Sequence, residues 1–167
     1  PLIKKGKNFD KIITPRISLR YNPKNTKNKK DDVRQINHDN IFALNRLGYG
    51  TTYEGGESFT YGASYVLNNE QDRKVLDLQI ANIIRLEKDE NIPTSSSIGQ
   101  KKSNYVSSLS LNPNDNFKID YQHTLDKNLD STKYQSLSAN LSINNFVTSF
   151  EYLNETSETA NNSYLYN

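Results

Sequence analysis

Two histidines, His38 and His123, are the only imidazoles in a 167-residue chain that contains no cysteine. They lie far apart with no thiol or second imidazole beside either one, which is not the ligand spacing of a zinc site. The missing cysteine removes thiol nucleophiles, thiolate ligands and disulfides. His123 falls on the apolar parity of an alternating segment, near its end, as an interfacial residue would rather than a general base. The many serines include none in a G-x-S-x-G nucleophile elbow. Asp126-Lys-Asn-Leu-Asp130 resembles the opening of a calcium loop, but Ser131 stands where such a loop needs Gly and Leu137 where it needs the bidentate Glu. Gly48-Tyr-Gly50-Thr-Thr-Tyr53 spaces two glycines as a phosphate cradle does, without the third glycine, the preceding strand or the following helix. None of these constellations completes a metal, nucleotide or catalytic site, and no metal or cofactor is expected.

The remaining polar residues suggest structure and passage rather than bond-making. Four of the seven glycines (Gly48, Gly50, Gly55, Gly56) cluster beside Arg46, Glu54 and Glu57, so an ion pair from Arg46 to Glu54 or Glu57 would lock that loop. Arg16, Arg20, Lys118, Asp120 and Gln122 share the polar parity of alternating segments. They would line a hydrophilic path for sugar and phosphate groups, or simply hydrate a lumen and pair across strands. The run Lys24, Lys27, Lys29, Lys30 would attract anionic lipid phosphates, or stay a solvated loop, since Asp31 and Asp32 follow it.

The elements that must position these residues are strands. Phe59, Tyr61, Ala63, Tyr65 and Leu67 alternate with Ser58, Thr60, Gly62 and Ser64, a period of two. The same alternation predicts strands over 9–21, 75–86 (broken only by Asn82), 103–111, 116–125 and 132–143, and another from Phe146 through Phe150 and Tyr152. Pro15, having no amide donor, is expected at a strand start or bulge. Residues 41–47 are expected to form one helical turn, 112–115 a marked turn, and Asn144-Asn145 a two-residue hairpin turn. Ser163-Tyr-Leu-Tyr-Asn167 reads as a strand beginning.

Hydrophobic residues make up only 34 % of the chain, little for a soluble core of this size. A barrel with a wet interior needs apolar side chains on its outer face alone. Each predicted strand is roughly 9–12 residues, the length that crosses a bilayer at barrel tilt. The connections 22–57, 87–102, 126–131 and 154–162 alternate with 68–74, 112–115 and 144–145, which are shorter on average though 126–131 is no longer than 68–74, as outer loops alternate with periplasmic turns. Tyr21, Tyr65, Tyr105, Phe117 and Tyr152 are expected near strand ends, as interfacial girdles. The fold class expected is all-β, an antiparallel transmembrane β-barrel, of which these residues supply about seven to eight strands. A soluble or surface β-domain acting as a binding module shows similar alternation, and a passive porin-like channel or a small complete barrel shares the outward-apolar design.

N-R-x-G followed by E-G-G-E-S-x-T-Y-G, with Ile13-Thr-Pro-Arg-Ile-Ser-Leu-Arg-Tyr-Asn-Pro23 upstream, resembles the barrel domain of the lipopolysaccharide-assembly outer-membrane proteins, the LptD or organic-solvent-tolerance family. The two stretches span roughly a third of the chain. The family-motif positions are Asn45, Arg46, Gly48, Glu54, Gly55, Gly56, Tyr61 and Gly62. The family often carries an acidic–basic pair after the glycine, where this chain has Tyr49-Gly50-Thr51. The resemblance implies transport and insertion of lipopolysaccharide (LPS) into the outer leaflet of the Gram-negative outer membrane. It implies an outer-membrane lipoprotein plug (LptE-like) and periplasmic LPS-bridge proteins as partners, integral placement in the outer membrane, and transport work in a protein that is not an enzyme and has no catalytic residue. The net charge of +2, dispersed along the chain, gives no nucleic-acid footprint.

The chain is expected to be part of one barrel domain, 1–167, with N- and C-terminal parts missing. Open sheet edges are not viable in lipid, so this segment alone is expected not to fold. A monomeric preparation that melts cooperatively in plain buffer would contradict that expectation and favour a soluble domain.

Overall fold

The computed structural model describes residues 1–27, 35–48, 53–93 and 96–156, and the backbone of 163–166. Among the described residues nine strands form a single antiparallel sheet in strict sequence order: β1 (Leu2–Lys4), β2 (Phe9–Asn22), β3 (Gly56–Asn69), β4 (Lys74–Arg85), β5 (Tyr105–Asn114), β6 (Phe117–Leu125), β7 (Thr132–Ile143), β8 (Phe146–Glu155) and β9 (Ser163–Tyr166). This is the open, up-and-down arc of a β-barrel wall. No helix among the described residues is long and apolar enough to cross a membrane.

Directly opposed residues of an antiparallel pair point to the same face, so the register reads as rows across the sheet. One row runs Ile13, Tyr65, Leu78, Leu109, Tyr121, Leu137, Tyr152; the next runs Leu67, Leu76, Leu111, Ile119, Ala139, Phe150. The opposite face carries Thr14, Ser64, Gln79, Ser108, Gln122 and Ser136 in a matching row. The apolar rows are uncovered: Ile13 is 45 % exposed and Leu78 40 % in the first, and Phe150 46 % in the second. An apolar surface of this extent needs a non-aqueous neighbour.

The short connections gather at one end. Arg73, in the β3–β4 turn, pairs with Asp115 in the β5–β6 turn and donates from Nη2 to the carbonyl of Pro113 at 3.0 Å. Asn144 takes the left-handed conformation (φ 52°) that a two-residue hairpin requires. The described residues of the two long connections, between β2 and β3 and between β4 and β5, gather at the other end and fold onto the polar face. There Ile36, Ile41 and Leu47 from the first, and Ile92 and Ile98 from the second, pack with Ala81, Ile83 and Val106 of the wall as a small dry core.

Several expectations change in detail. The turn expected over 41–47 forms earlier, closed by Ile41 N to Asn37 O (3.1 Å) and Ala43 N to Asn40 O (2.9 Å), because the Asn37 and Asn40 side chains also bind backbone N–H groups there. Pro15 sits mid-strand with no register shift against β3. It lies beyond Lys11–Ile13, the only part of β2 that β1 pairs, so an edge flank accommodates the missing donor. The 112–115 turn shrinks to two residues as β5 runs on to Asn114. Tyr65 and Tyr152 lie in the row that crosses the middle of the sheet, not at strand ends, since the stagger of successive strands sets height more than position within a strand. Tyr21, Tyr105 and Phe117 do lie at or next to strand ends.

Asn82, the break in the β4 stripe, is fully buried because β5 starts with an irregularity opposite it. Its Nδ2 donates to the carbonyls of Ser103 (2.8 Å) and Asn104 (3.2 Å), and Ser103 Oγ accepts from Ile83 N at 2.9 Å. Lys29, Lys30, Asp31, Asp32, Tyr49, Gly50 and Thr51 lie outside the described residues.

The two-faced sheet makes adjacent substitutions unequal. In bilayers, Leu109→Arg is expected to cost about 2–4 kcal/mol of folding free energy, the cost of a cation on a lipid-facing barrel position. Ser108→Arg should cost less than about 0.5 kcal/mol, as a change on a solvated surface does. Denaturant titration of the full-length protein in vesicles measures both.

Candidate functional site

The motif residues converge on one carboxylate. In the row at the long-loop end of the sheet, Arg20 of β2, Ser58 of β3 and Arg85 of β4 stand side by side on the polar face. The inward-folded 35–48 segment adds Arg46, and the residue two before β3 is Glu54. Arg46 Nε and Nη2 each donate to Glu54, at 2.6 Å to Oε1 and 2.6 Å to Oε2. Arg20 Nη1 reaches Oε1 at 2.8 Å and Arg85 Nη1 reaches Oε2 at 3.1 Å. Three guanidiniums therefore share one carboxylate that has no exposed side-chain surface. Arg46 and Arg85 are 1 % and 3 % exposed, Arg20 14 %. The remaining donors are also used: Arg46 bonds Thr60 Oγ1 and Ser58 Oγ at 3.0 Å each, Arg20 bonds the Ala43 carbonyl and Arg85 the Gly55 carbonyl.

Bidentate geometry is what makes such a burial tolerable, since a guanidinium fork matches a carboxylate and satisfies it in its plane. The cluster still carries more cation than anion. Asp89, 10 % exposed with Oδ2 3.7 Å from Arg85 Nη2, offsets part of the excess. Asp89 also accepts from Thr26 Oγ1, and Thr26 Oγ1 accepts from Gly55 N at 2.6 Å, so both long loops are tied to this point.

The glycines serve that arrangement. A Cβ on Gly55 would stand 2.8 Å from Thr26 N, and Gly56 has φ +75°, so only glycines let the chain turn from the buried Glu54 into β3. A Cβ on Gly62 would stand 2.5 Å from the Ile80 carbonyl and 2.7 Å from Ala81 Cβ, so a side chain there would push β4 away. Asn45 Oδ1 accepts from Gly48 N at 3.2 Å and shapes the end of the inward segment. Tyr61 lies on the apolar face, its ring 5.8 Å from that of Phe59.

Of the other sequence candidates, Arg16 lies 4.2 Å over the Phe42 ring and so clasps the same inward segment. Lys118 pairs with Asp120 at 2.7 Å, and Asp120 accepts from Ser110 Oγ at 2.8 Å. Gln122 stands on the same polar face, away from the arginine cluster. His38 pairs with Asp39, and His123 Nε2 meets Thr132 Oγ1 at 3.1 Å; the two histidines do not meet. Asp126 to Ser131 closes on itself as a tight turn, with Leu129 at φ 66°. No group of three or more His, Cys, Asp or Glu suited to a metal occurs among the described residues. Glu57, the alternative partner for Arg46, is exposed.

Sequence reasoning missed Arg85, Asp89, Thr26 and the two hydroxyls, Ser58 and Thr60. The available signal was an arginine on the polar parity at the loop end of both β2 and β4, which becomes a cluster only once the register is known. Outside the sheet, Lys102 lies 4.8 Å from the centre of the Tyr105 ring. Its ammonium donates a hydrogen bond to the Tyr105 phenol oxygen, which raises the Lys102 pKa.

With this geometry in view, the comparisons place the chain. The family model described as "LptD: LPS transport system D" matches residues 1–167, and the chain belongs to that family. No curated protein matches the chain. The family is one of lipopolysaccharide transport to the outer membrane and not of enzymes.

Removing the shared anion strands three buried cations, whereas removing one cation leaves the anion with two. Glu54→Gln is therefore expected to cost about 3–5 kcal/mol, Arg46→Ala less, and the partly exposed Arg20→Ala least. Limited proteolysis of the folded full-length protein should show new cleavage in 35–48 in the same order. An unchanged digestion pattern in Glu54→Gln would contradict the assignment of the lock.

Proposed function

We propose that this chain, a member of the LptD family, forms part of the wall of an outer-membrane barrel that inserts lipopolysaccharide into the outer leaflet. The observation that carries the reading is the division of one sheet into a face with two continuous apolar rows, through Tyr65 and through Leu67, and a hydroxyl- and amide-rich face. Lipid tails would cover the first. The second would give a hydrated surface to the sugars and phosphates of the passing lipid. An open nine-stranded sheet leaves β1 and β9 as edges, and edges cannot face hydrocarbon. In this proposal residues 1–167 are one section of a single barrel domain that further strands close.

The work at this wall is passage, so no residue is assigned a bond-making role. Delivery of lipid from periplasmic LPS-bridge proteins, and an LptE-like lipoprotein seated in the lumen, complete the reading at the level of partners. The inward segment 35–48, held by Arg16, Arg20 and the Glu54 cluster, is a fixed part of the wall's polar side, past which the headgroup moves. Exposed apolar rows of this extent argue against a free soluble β-domain.

Photoreactive residues on neighbouring positions test the reading in cells. At Gln122 and Ser138, lipopolysaccharide adducts should form while lipid is being supplied and fade when supply stops. At Tyr121 and Leu137, adducts should be to bulk membrane lipid, whatever the supply. Polar-face positions that give no adduct, or adducts indifferent to supply, would overturn it.

A further inference from the structure

A second site lies on the same polar face, away from the arginine cluster. Opposed residues Thr124, Tyr134 and Glu155 form a row across β6, β7 and β8 near the long-loop end. Residues 35–37 and the 97–104 loop stand over that row and leave a cavity of about 300 Å³, at the small end of the range of ligand pockets.

Every lining residue but Ile36 carries a polar group, while aliphatic stems and the Tyr134 ring give the cavity apolar surface as well. Tyr134, Glu155, Lys127 and Lys133 face it with no side-chain hydrogen bond to any described residue, and Gln100 has a solvent-shielded Nε2 with no partner. The wall is stiff where it matters. Ser97 is held at φ 56°, its Oγ accepts from Asn104 N at 3.1 Å, and the β5 irregularity knitted by Asn82 and Ser103 follows directly. A non-glycine residue held at positive φ and an irregular strand start beside a cavity are features that collect at binding sites.

We propose that this cavity is a saccharide subsite that takes one uncharged sugar residue. The lining residues include two acids (Asp126, Glu155) and two lysines (Lys127, Lys133), so the site has no excess charge with which to hold a phosphate. Carboxylate, amide and ammonium heads are the donors and acceptors that a ring of hydroxyls satisfies in both directions. The Tyr134 ring supplies an apolar surface for the C–H side of a pyranose. The orphaned Gln100 N–H gains an acceptor on binding, which removes a standing desolvation cost.

The inference rests on the reading that lipopolysaccharide passes over this face, and it names the sugar portion as what this pocket holds. The glycine loop and Glu54 hold arginines and handle charge; the β6–β8 pocket handles hydroxyls.

The test uses the full-length protein with its lipoprotein partner and two probes, delipidated oligosaccharide from lipopolysaccharide and its phosphorylated lipid portion. The oligosaccharide should bind saturably. Gln100→Ala and Tyr134→Ala should each weaken it by about tenfold, the loss of one or two well-placed contacts, while binding of the phosphorylated lipid portion changes less than about twofold. Tyr134→Phe, which keeps the ring, should retain most of the oligosaccharide affinity. Heat-dependent mobility in detergent gels identifies variants that keep the barrel folded.

Oligosaccharide binding that is absent, or that is unchanged in both alanine variants, overturns the subsite. Binding of inorganic phosphate in competition with the oligosaccharide overturns its neutral-sugar character. Lipopolysaccharide adducts at Gln122 alongside either result would show that the transport reading stands and only the subsite fails. Loss of both would show that the underlying reading has failed.

Discussion

A strand that crosses hydrocarbon must give every backbone N–H and C=O to a neighbouring strand, because no water is there to take them. That requirement fixes the order of this sheet, in which each long strand pairs with its sequence neighbours on both sides. Antiparallel pairing then forces alternate side chains to opposite faces. A chain poor in apolar residues can still present a continuous apolar surface, provided that it spends them on one parity. The rows through Tyr65, Leu78, Leu109 and Tyr121 do this, and the Ser108 and Gln122 row behind them is the consequence.

The polar face has its own difficulty, since a long connection folded over it brings backbone and charge out of water. The 35–48 segment meets this with a few apolar side chains against Ala81, Ile83 and Val106, and with one carboxylate that receives three guanidiniums. A buried ion pair is seldom a net gain over a hydrophobic contact of the same shape. Its value here is in specifying geometry: Glu54 can be satisfied in only one arrangement of β2, β4 and the inward segment. The glycine pair after it and the Thr26–Asp89 link belong to the same fastening.

Much of this was legible in the sequence, for identifiable reasons. Strand periodicity was strong enough to set β7 at its observed ends, and the Asn144-Asn145 turn followed from the left-handed conformation asparagine tolerates. The partnership of Arg46 with a nearby glutamate followed from spacing within one loop. What could not be read needed register. Arg20, Ser58 and Arg85 become neighbours only through two hairpins, β2–β3 with its long connection and β3–β4 with its short turn, and Asn82 looked like a flaw until its partners at Ser103 and Asn104 were placed. The small core on the polar face was hidden for the same reason, since Ile83 and Val106 on the polar parity only look misplaced until the inward loop covers them. The tyrosines misled because height in a sheared sheet depends on the stagger of all the strands before it.

The central claim is that one face of this sheet meets lipid and the other water. Spin labels placed singly along β6, from Lys118 to Thr124, in the full-length protein in bilayers would test it most directly. The account predicts collision rates with oxygen that peak at Ile119 and Tyr121, and rates with a water-soluble nickel complex that peak at Lys118, Asp120 and Gln122, a period of two with opposite phases. Both reagents excluded from the apolar positions, as in a dry interior between packed sheets, or no alternation at all, would contradict it.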